Sequence, residues 1–197
     1  MLTVAVGALW ALFFVLTTLV VLLYRQFGLL YIGSRARVEE TGLAPGKRLP
    51  LSHTVDLGEA ALALREVLSL TPDQRGSILI FGGPGCELCN QLVPQLDEFQ
   101  QTQPEIKTVY IDRSINHRWT AGGHSWVYGV SQEGALHDAM DAAVSPFAFV
   151  ADRAGVVAAK GLVNTPDDLR RLIETAALPA LAHAVDVDGR APATTAV

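Results

Sequence analysis

Residues Ser77–Gln100 read SILIFGGPGCELCNQLVPQLDEFQ and hold both cysteines of the chain, Cys86 and Cys89. Ile78 to Phe81 is an apolar run of strand length, and Gly82, Gly83, Pro84 and Gly85 break it as a tight turn would. A helix is expected next, because Leu88, Leu92, Leu96 and Phe99 recur at three- and four-residue spacing and would lay one apolar face on the strand just left. Cys86 then falls in the first helical turn, where free backbone N–H groups favour negative charge and a thiolate is most easily held. Cys89 sits one turn deeper on the same face, so the two sulfurs can close a small ring in which one attacks and the other resolves.

The rest of the composition narrows the chemistry. Two cysteines in one CxxC, with none elsewhere in 197 residues, fit a redox pair better than a disulfide scaffold. A structural zinc site needs about four ligands, and no second cysteine pair supplies them. The histidines, His53, His117, His124, His137 and His183, are scattered without ligand spacing, so no metal site is expected. A net charge of -5 argues against a nucleic-acid surface. The hydrophobic fraction, 50%, is high, and much of the excess lies in the first thirty or so residues.

Met1 to Tyr24 carries no charged side chain, and about 24 residues at ~1.5 Å each exceed the ~30 Å hydrocarbon core of a bilayer. A basic n-region and a small-residue cleavage site are both missing, so residues 1–24 read as an uncleaved transmembrane anchor rather than a signal peptide. Residues 25–50 mix an apolar patch with charges, then Gly and Pro, and read as a juxtamembrane segment and linker. Arg25, Arg35 and Arg37 follow the span and no Lys or Arg precedes it, which by the positive-inside rule puts the following domain in the cytoplasm.

The domain is expected over residues 51–180. LSHTVDL reads as an edge strand and Glu59 to Leu70 as a short helix. After the cysteine helix, IKTVYID (Ile106 to Asp112) is β-branched and alternating, so it reads as a strand parallel to the first, making a βαβ unit. Residues 113–125 give no periodic signal and read as a solvated connection that could also face a substrate. WVYGV and QEGALHDAMDA read as a short strand and a short helix. FAFVA and GVVAAK flank DRAG as an antiparallel hairpin, with Pro146 just before the first strand, where a proline is tolerated. Thr165 reads as the N-cap for NTPDDLRRLIETAA, with Pro166 at the first helical position and Leu169, Leu172 and Ile173 on one face. Residues 181–197 lack periodicity and read as a disordered tail.

CELCNQLVPQLDEF resembles the thioredoxin superfamily in its cysteine spacing and in Pro94, a helix-kinking proline five residues after Cys89. The N-terminal anchor followed by RQFGLL, the proline before FAFVAD and, above all, GVVAAKGLVNT with its following helix resemble the MauD family of methylamine dehydrogenase accessory proteins, among the TlpA-like membrane-anchored thiol-disulfide oxidoreductases. The similarity covers most of the chain. It implies an α/β thioredoxin-like fold, a central mixed sheet flanked by helices, preceded by one transmembrane helix. It also implies a cis bond at Pro146, contact of Ser145 with a bound polypeptide, and an extracytoplasmic role in maturing a partner such as methylamine dehydrogenase.

Three departures bear on the chemistry. Gly85 stands where thioredoxins commonly carry tryptophan, and Ile80 stands where they bury an acid, so a proton leaving Cys89 needs another acceptor. Glu87 beside Cys86 opposes thiolate formation. The expected function is thiol-disulfide exchange with Cys86 attacking and Cys89 resolving. No cofactor is expected beyond the Cys86–Cys89 disulfide itself. The expected partners are a cysteine-bearing protein substrate, a redox partner protein and the membrane. The rival expectation is a non-catalytic binding or chaperone module with a static disulfide; a thiol peroxidase is less favoured, because Gly83 replaces the threonine usual in those enzymes.

Overall fold

The computed structural model describes residues 6–7, 9–22, 41–115, 119 and 123–179. The chain divides into two compact units, Met1–Thr41 and Gly42–Val197. In the first, residues 6–7 and 9–22 are helical and their side chains are exposed. Among the described residues no helix is long and apolar enough to cross a membrane. The anchor expected over residues 1–24 extends past the described stretch at both ends. The segment expected as juxtamembrane lies mostly outside the described residues, and the expected tail over 181–197 lies wholly outside them.

The second unit is a seven-stranded mixed sheet in the order β2-β1-β5-β4-β3-β6-β7. Its strands are β1 (Thr54–Asp56), β2 (Ala61–Ala63), β3 (Gly76–Phe81), β4 (Ile106–Asp112), β5 (Val127–Ser131), β6 (Phe147–Asp152) and β7 (Val157–Leu162). β3, β4 and β5 run parallel, whereas β6 and β7 on one side and β1 and β2 on the other are antiparallel. All six residues of β3 are buried, as befits a central strand covered on both faces.

Helix α1 is only Leu64–Val67, shorter than the helix expected over residues 59–70. The reason is a hairpin: Gly58 takes a left-handed φ of 88° and its N–H is held by Asp56 Oδ1 at 2.8 Å, turning Ala61–Ala63 back onto Thr54–Asp56. β1 is therefore not the edge strand expected of it, because β2 covers it. The stretch before β1 is tied to β7, where Val157 N–H donates to Lys47 carbonyl at 2.9 Å and Gly46 N–H to Val157 carbonyl at 2.8 Å, and Leu49 is buried.

The cysteine helix comes in two pieces, α2 (Glu87–Leu92) and α3 (Leu96–Thr102), joined by a 3-10 turn over Val93–Gln95. Pro94 has no N–H to continue the α pattern, which accounts for the break. Cys89, Leu92, Val93, Leu96 and Phe99 form the buried face, packed with Ile78, Ile80, Tyr110, Ala148 and Val150. Leu88, expected on that face, is 43% exposed, since Cys89 takes the inward position one step round the helix. Helices α4 (Ala135–Ala139) and α5 (Pro166–Ala176) complete the fold. α5 opens on a capping box in which Thr165 Oγ1 accepts from Asp168 N–H and the Asp168 carboxylate accepts from Thr165 N–H.

Candidate redox site

Cys86 and Cys89 are joined in a disulfide with their Cα atoms 5.3 Å apart. Cys86 is the N-cap of α2, and its Sγ accepts the Cys89 N–H at 3.1 Å. Cys86 is half-buried while Cys89 is 3% exposed, so only the first sulfur is open to an incoming group. Gly85 reaches this cap with a left-handed φ of 72°, a conformation easy for glycine and strained for other residues. The turn is closed by Cys86 N–H donating to Gly83 carbonyl at 3.3 Å.

The sheet brings a second loop to the same end. β3 and β6 are antiparallel with Phe81 opposite Phe147, so the chain leaves β3 at Gly82 where it enters β6 from Pro146. The Ser145–Pro146 bond is cis. Ser145 is exposed and Pro146 buried, and a Cβ built at Gly83 would lie 3.3 Å from Ser145 Oγ. Cys86, Cys89, Ser145 and Pro146 thus converge around the Gly82–Gly85 turn.

Several residues around that turn carry no motif in the sequence. Tyr110 packs beneath Gly82, and its ring also stacks with Tyr128 and meets Trp126 edge-on. Burial, helped by Asp112 and Tyr128, pushes its hydroxyl up and keeps it protonated. His124 stacks on Trp126 with ring centroids 4.5 Å apart. Asp97 of α3 fastens this segment. Its Oδ1 accepts both Ser125 N–H and Ser125 Oγ–H at 2.8 Å, and its Oδ2 meets His124 Nδ1 at 2.9 Å. Burial alone would raise the Asp97 carboxyl, but the bonds from Ser125 and His124 outweigh it and hold it at about 2. His124 and Ser125, exposed as expected of a solvated connection, are thus also tied to the cysteine helix. Residues 116–118 and 120–122 lie outside the described residues.

Ile80 is fully buried. The buried acid of this region is instead Asp112, at the end of β4, two residues beyond Tyr110 and on the same face of the strand. Burial pushes its carboxyl up against the lowering effect of the Arg113 and Ser114 N–H groups, and its Oδ1 has no partner. The only sequence signal for it was a carboxylate closing an otherwise apolar strand. On the opposite face, His137 of α4 is 1% exposed and its Nε2 lies 2.8 Å from the Gly82 carbonyl. Among the described residues no group of three or more His, Cys, Asp or Glu side chains is arranged to hold a metal ion.

Dithiol and disulfide forms are both accessible to such an arrangement, with one sulfur open and the other covered. The chain matches no family model. Solved structures share the fold. A protein from Chlorobium tepidum, described as a candidate thiol:disulfide interchange protein DsbE, superposes with a TM-score of 0.55 at 17% identity, over 68% of this chain and 98% of that one. The thioredoxin domain of a thiol-disulfide oxidoreductase from Bacteroides vulgatus gives 0.50 at 18% identity, over 67% and 96%. At these identities the likeness establishes the thioredoxin-like fold. Curated relatives are more similar in sequence. The methylamine utilization protein MauD of Methylophilus methylotrophus is 31% identical over 176 residues, which are 85% of this chain and 80% of that protein. MauD of Methylobacillus flagellatus is 28% identical over 174 residues, 85% and 82% of the two chains. With its CxxC on a thioredoxin-like sheet and this identity spread over most of its length, the chain belongs to the family of the methylamine utilization protein MauD.

Proposed function

We propose that the protein is a membrane-anchored thiol-disulfide oxidoreductase that acts on the disulfides or dithiols of a partner protein. The observation that carries this reading is the asymmetry of the pair: Cys86 is half-buried at the cap of α2, and Cys89 is covered. In the reducing direction the Cys86 thiolate attacks a partner disulfide, forming a mixed disulfide and expelling one partner thiolate, which takes up a proton. Cys89, deprotonated, then attacks Cys86 Sγ and expels the second partner thiolate. The pair ends as the Cys86–Cys89 disulfide, and two electrons and two protons have passed to the partner. Run backwards, the same steps oxidise a partner dithiol. Ser145 and Pro146 would contact the partner chain beside the open sulfur.

The anchor is supported by the described helical stretch, where Leu9, Trp10, Leu12, Phe13, Phe14, Val15, Leu16 and Leu19 are all exposed. Its two hydroxyls are satisfied within the helix, Thr17 Oγ1 donating to Phe13 carbonyl at 2.9 Å and Thr18 Oγ1 to Phe14 carbonyl at 2.8 Å, as a lipid environment requires. The relatives are named for methylamine utilization. That name supports a client in the maturation of methylamine dehydrogenase, with the domain outside the cytoplasm, where disulfides persist. The arginines after the span argue the opposite orientation, and a reporter fused after Val197 decides between them.

The decisive test is trapping. Cys89→Ser should accumulate a mixed disulfide through Cys86 with a client, visible by mass spectrometry of non-reduced samples. If no protein is trapped while the double replacement of Cys86 and Cys89 preserves cellular function, the domain is a binding scaffold and the exchange mechanism is wrong.

A further inference from the structure

Gly82 is the last point at which the backbone is held by the sheet before the chain turns into Cys86. Three elements fix it. Its N–H donates to the Ile111 carbonyl of β4 at 2.8 Å, Tyr110 Oη fills the space a Cβ would need, and its carbonyl meets His137 Nε2 at 2.8 Å. The first two come from the neighbouring strand, whereas His137 reaches the same residue from α4 on the other face of the sheet.

A carbonyl oxygen can only accept, so the hydrogen-bonded nitrogen of His137 carries the proton. The other nitrogen, Nδ1, is buried and has no partner, so a second proton there would be a buried donor with nothing to bond. The ring is thus a neutral Nε2–H tautomer, wedged edge-on against Phe81 with centroids 4.9 Å apart. Burial, the largest influence, lowers its pKa, and Arg113 adds to that; the Gly82 bond and Asp138 act the other way. Arg113 and Asp138 are themselves paired at 3.1 Å. A neutral imidazole with an unsatisfied nitrogen is a costly way to fill a core, and a leucine or methionine there would leave no such nitrogen.

We propose that His137 is a positioning residue for the redox turn. By donating Nε2–H to the Gly82 carbonyl it sets the peptide plane on which the Gly83–Cys86 turn is built, and through it the alignment of Cys86 Sγ with the Cys89 N–H. The inference rests on the oxidoreductase reading for its purpose, although its geometry stands apart from that reading. Loss of the donor frees the Gly82–Gly83 peptide to rotate, loosens the 3.1 Å bond to Cys86 Sγ and so holds the Cys86 thiolate less well.

The experiment is a pH titration of the Cys86 thiolate in the reduced full-length protein, by rate of alkylation with iodoacetamide, in wild type, His137→Leu, His137→Met and His137→Gln. Leucine and methionine remove the donor and keep an apolar filling; glutamine can donate to the same carbonyl. The expected result is about threefold less thiolate at a given pH in the Leu and Met variants, with the Gln variant restored to the wild-type curve. Folded Leu and Met variants that titrate like wild type would overturn the inference, as would a Gln variant shifted as far as Leu. Should neither apolar variant fold, ¹⁵N NMR of the wild-type imidazole decides. The His137 Nε2–H signal should differ between oxidised and reduced protein, and identical signals would refute the coupling. Exchange of the wild-type pair with glutathione, measured on the same samples, tests the oxidoreductase reading separately: its failure sinks that reading while the titration still decides the place of His137.

Discussion

The hydroxyl of Tyr110 occupies the space that a side chain at Gly82 would need: a Cβ built there would meet Tyr110 Oη at 1.8 Å and its Cζ at 2.4 Å. Both are buried, so neither can move aside without disturbing the sheet beneath the cysteine turn. Gly82→Ala should therefore destabilise the domain by about 1–3 kcal/mol, the usual range for overpacking a core. Tyr110→Phe in the same chain should recover only part of the loss, because the ring carbon still blocks the new methyl. Thermal unfolding checks this, and a Gly82→Ala protein melting at the wild-type temperature would contradict the packing described.

The helix face that covers the sheet is tested by two leucines. Leu92 is fully buried and Leu88 is 43% exposed. Leu92→Ala should cost about 2–5 kcal/mol, in the range of core truncations. Leu88→Ala should stay within about 0.5 kcal/mol of wild type, as exposed substitutions do. Chemical denaturation of the two variants side by side gives the answer.

Asp97 and Asp112 should respond to acid with opposite signs. The Asp97 carboxyl is held at about 2, below its usual 3.8, so the stability it contributes is present above about pH 4 and lost as pH falls towards 2. Its side chain is 39% exposed, so after solvent screening the effect is about 1 kcal/mol or less. Asp112 is raised instead. Its folded form favours the proton, so its contribution is present below the ordinary carboxylate pKa and is lost as pH rises through the folded value. Asp97→Asn should lower the urea midpoint at pH 7 and match wild type near pH 2. Asp112→Asn should raise or preserve the midpoint at pH 7 and lose that advantage near pH 3.

Unequal access to the two sulfurs should be visible directly. In the reduced protein, Cys86 should be alkylated at least about tenfold faster than Cys89, because reactivity follows exposure and thiolate character together. Peptide mapping after timed quenching measures both rates. Equal rates would remove the basis for assigning attack to one and resolution to the other.

Local rules made some of this molecule legible. β4 spans Ile106–Asp112 as its alternation suggests, and Thr165 caps α5 with the expected proline behind it. Cys86 and Cys89 are marked by their own spacing, whereas Ser145 and Pro146 are marked only through the resemblance to thioredoxin-like proteins. Over Glu59–Leu70, helical propensity in a run of alanines and leucines loses to a hairpin pinned by one left-handed glycine, Gly58. Leu88 turns outward because Cys89, a small apolar side chain when buried, takes the inward position beside it. Asp97 with His124 and His137 with Gly82 have no local signature at all, and Asp112 shows only as a carboxylate closing an apolar strand. Their partners are set by strand order and by loops folding over helices, which spacing along one chain does not encode.

The β3–β6 register has a consequence in time as well as in space. Since Phe81 faces Phe147, the rim around the sulfurs is complete only when β6 has docked beside β3. A chain made from its N-terminus exposes Cys86 and Cys89 well before Ser145 and Pro146 exist, with β4 and β5 still to come in between. Until then the thiols lack one wall, and whatever meets them during synthesis encounters a half-built rim.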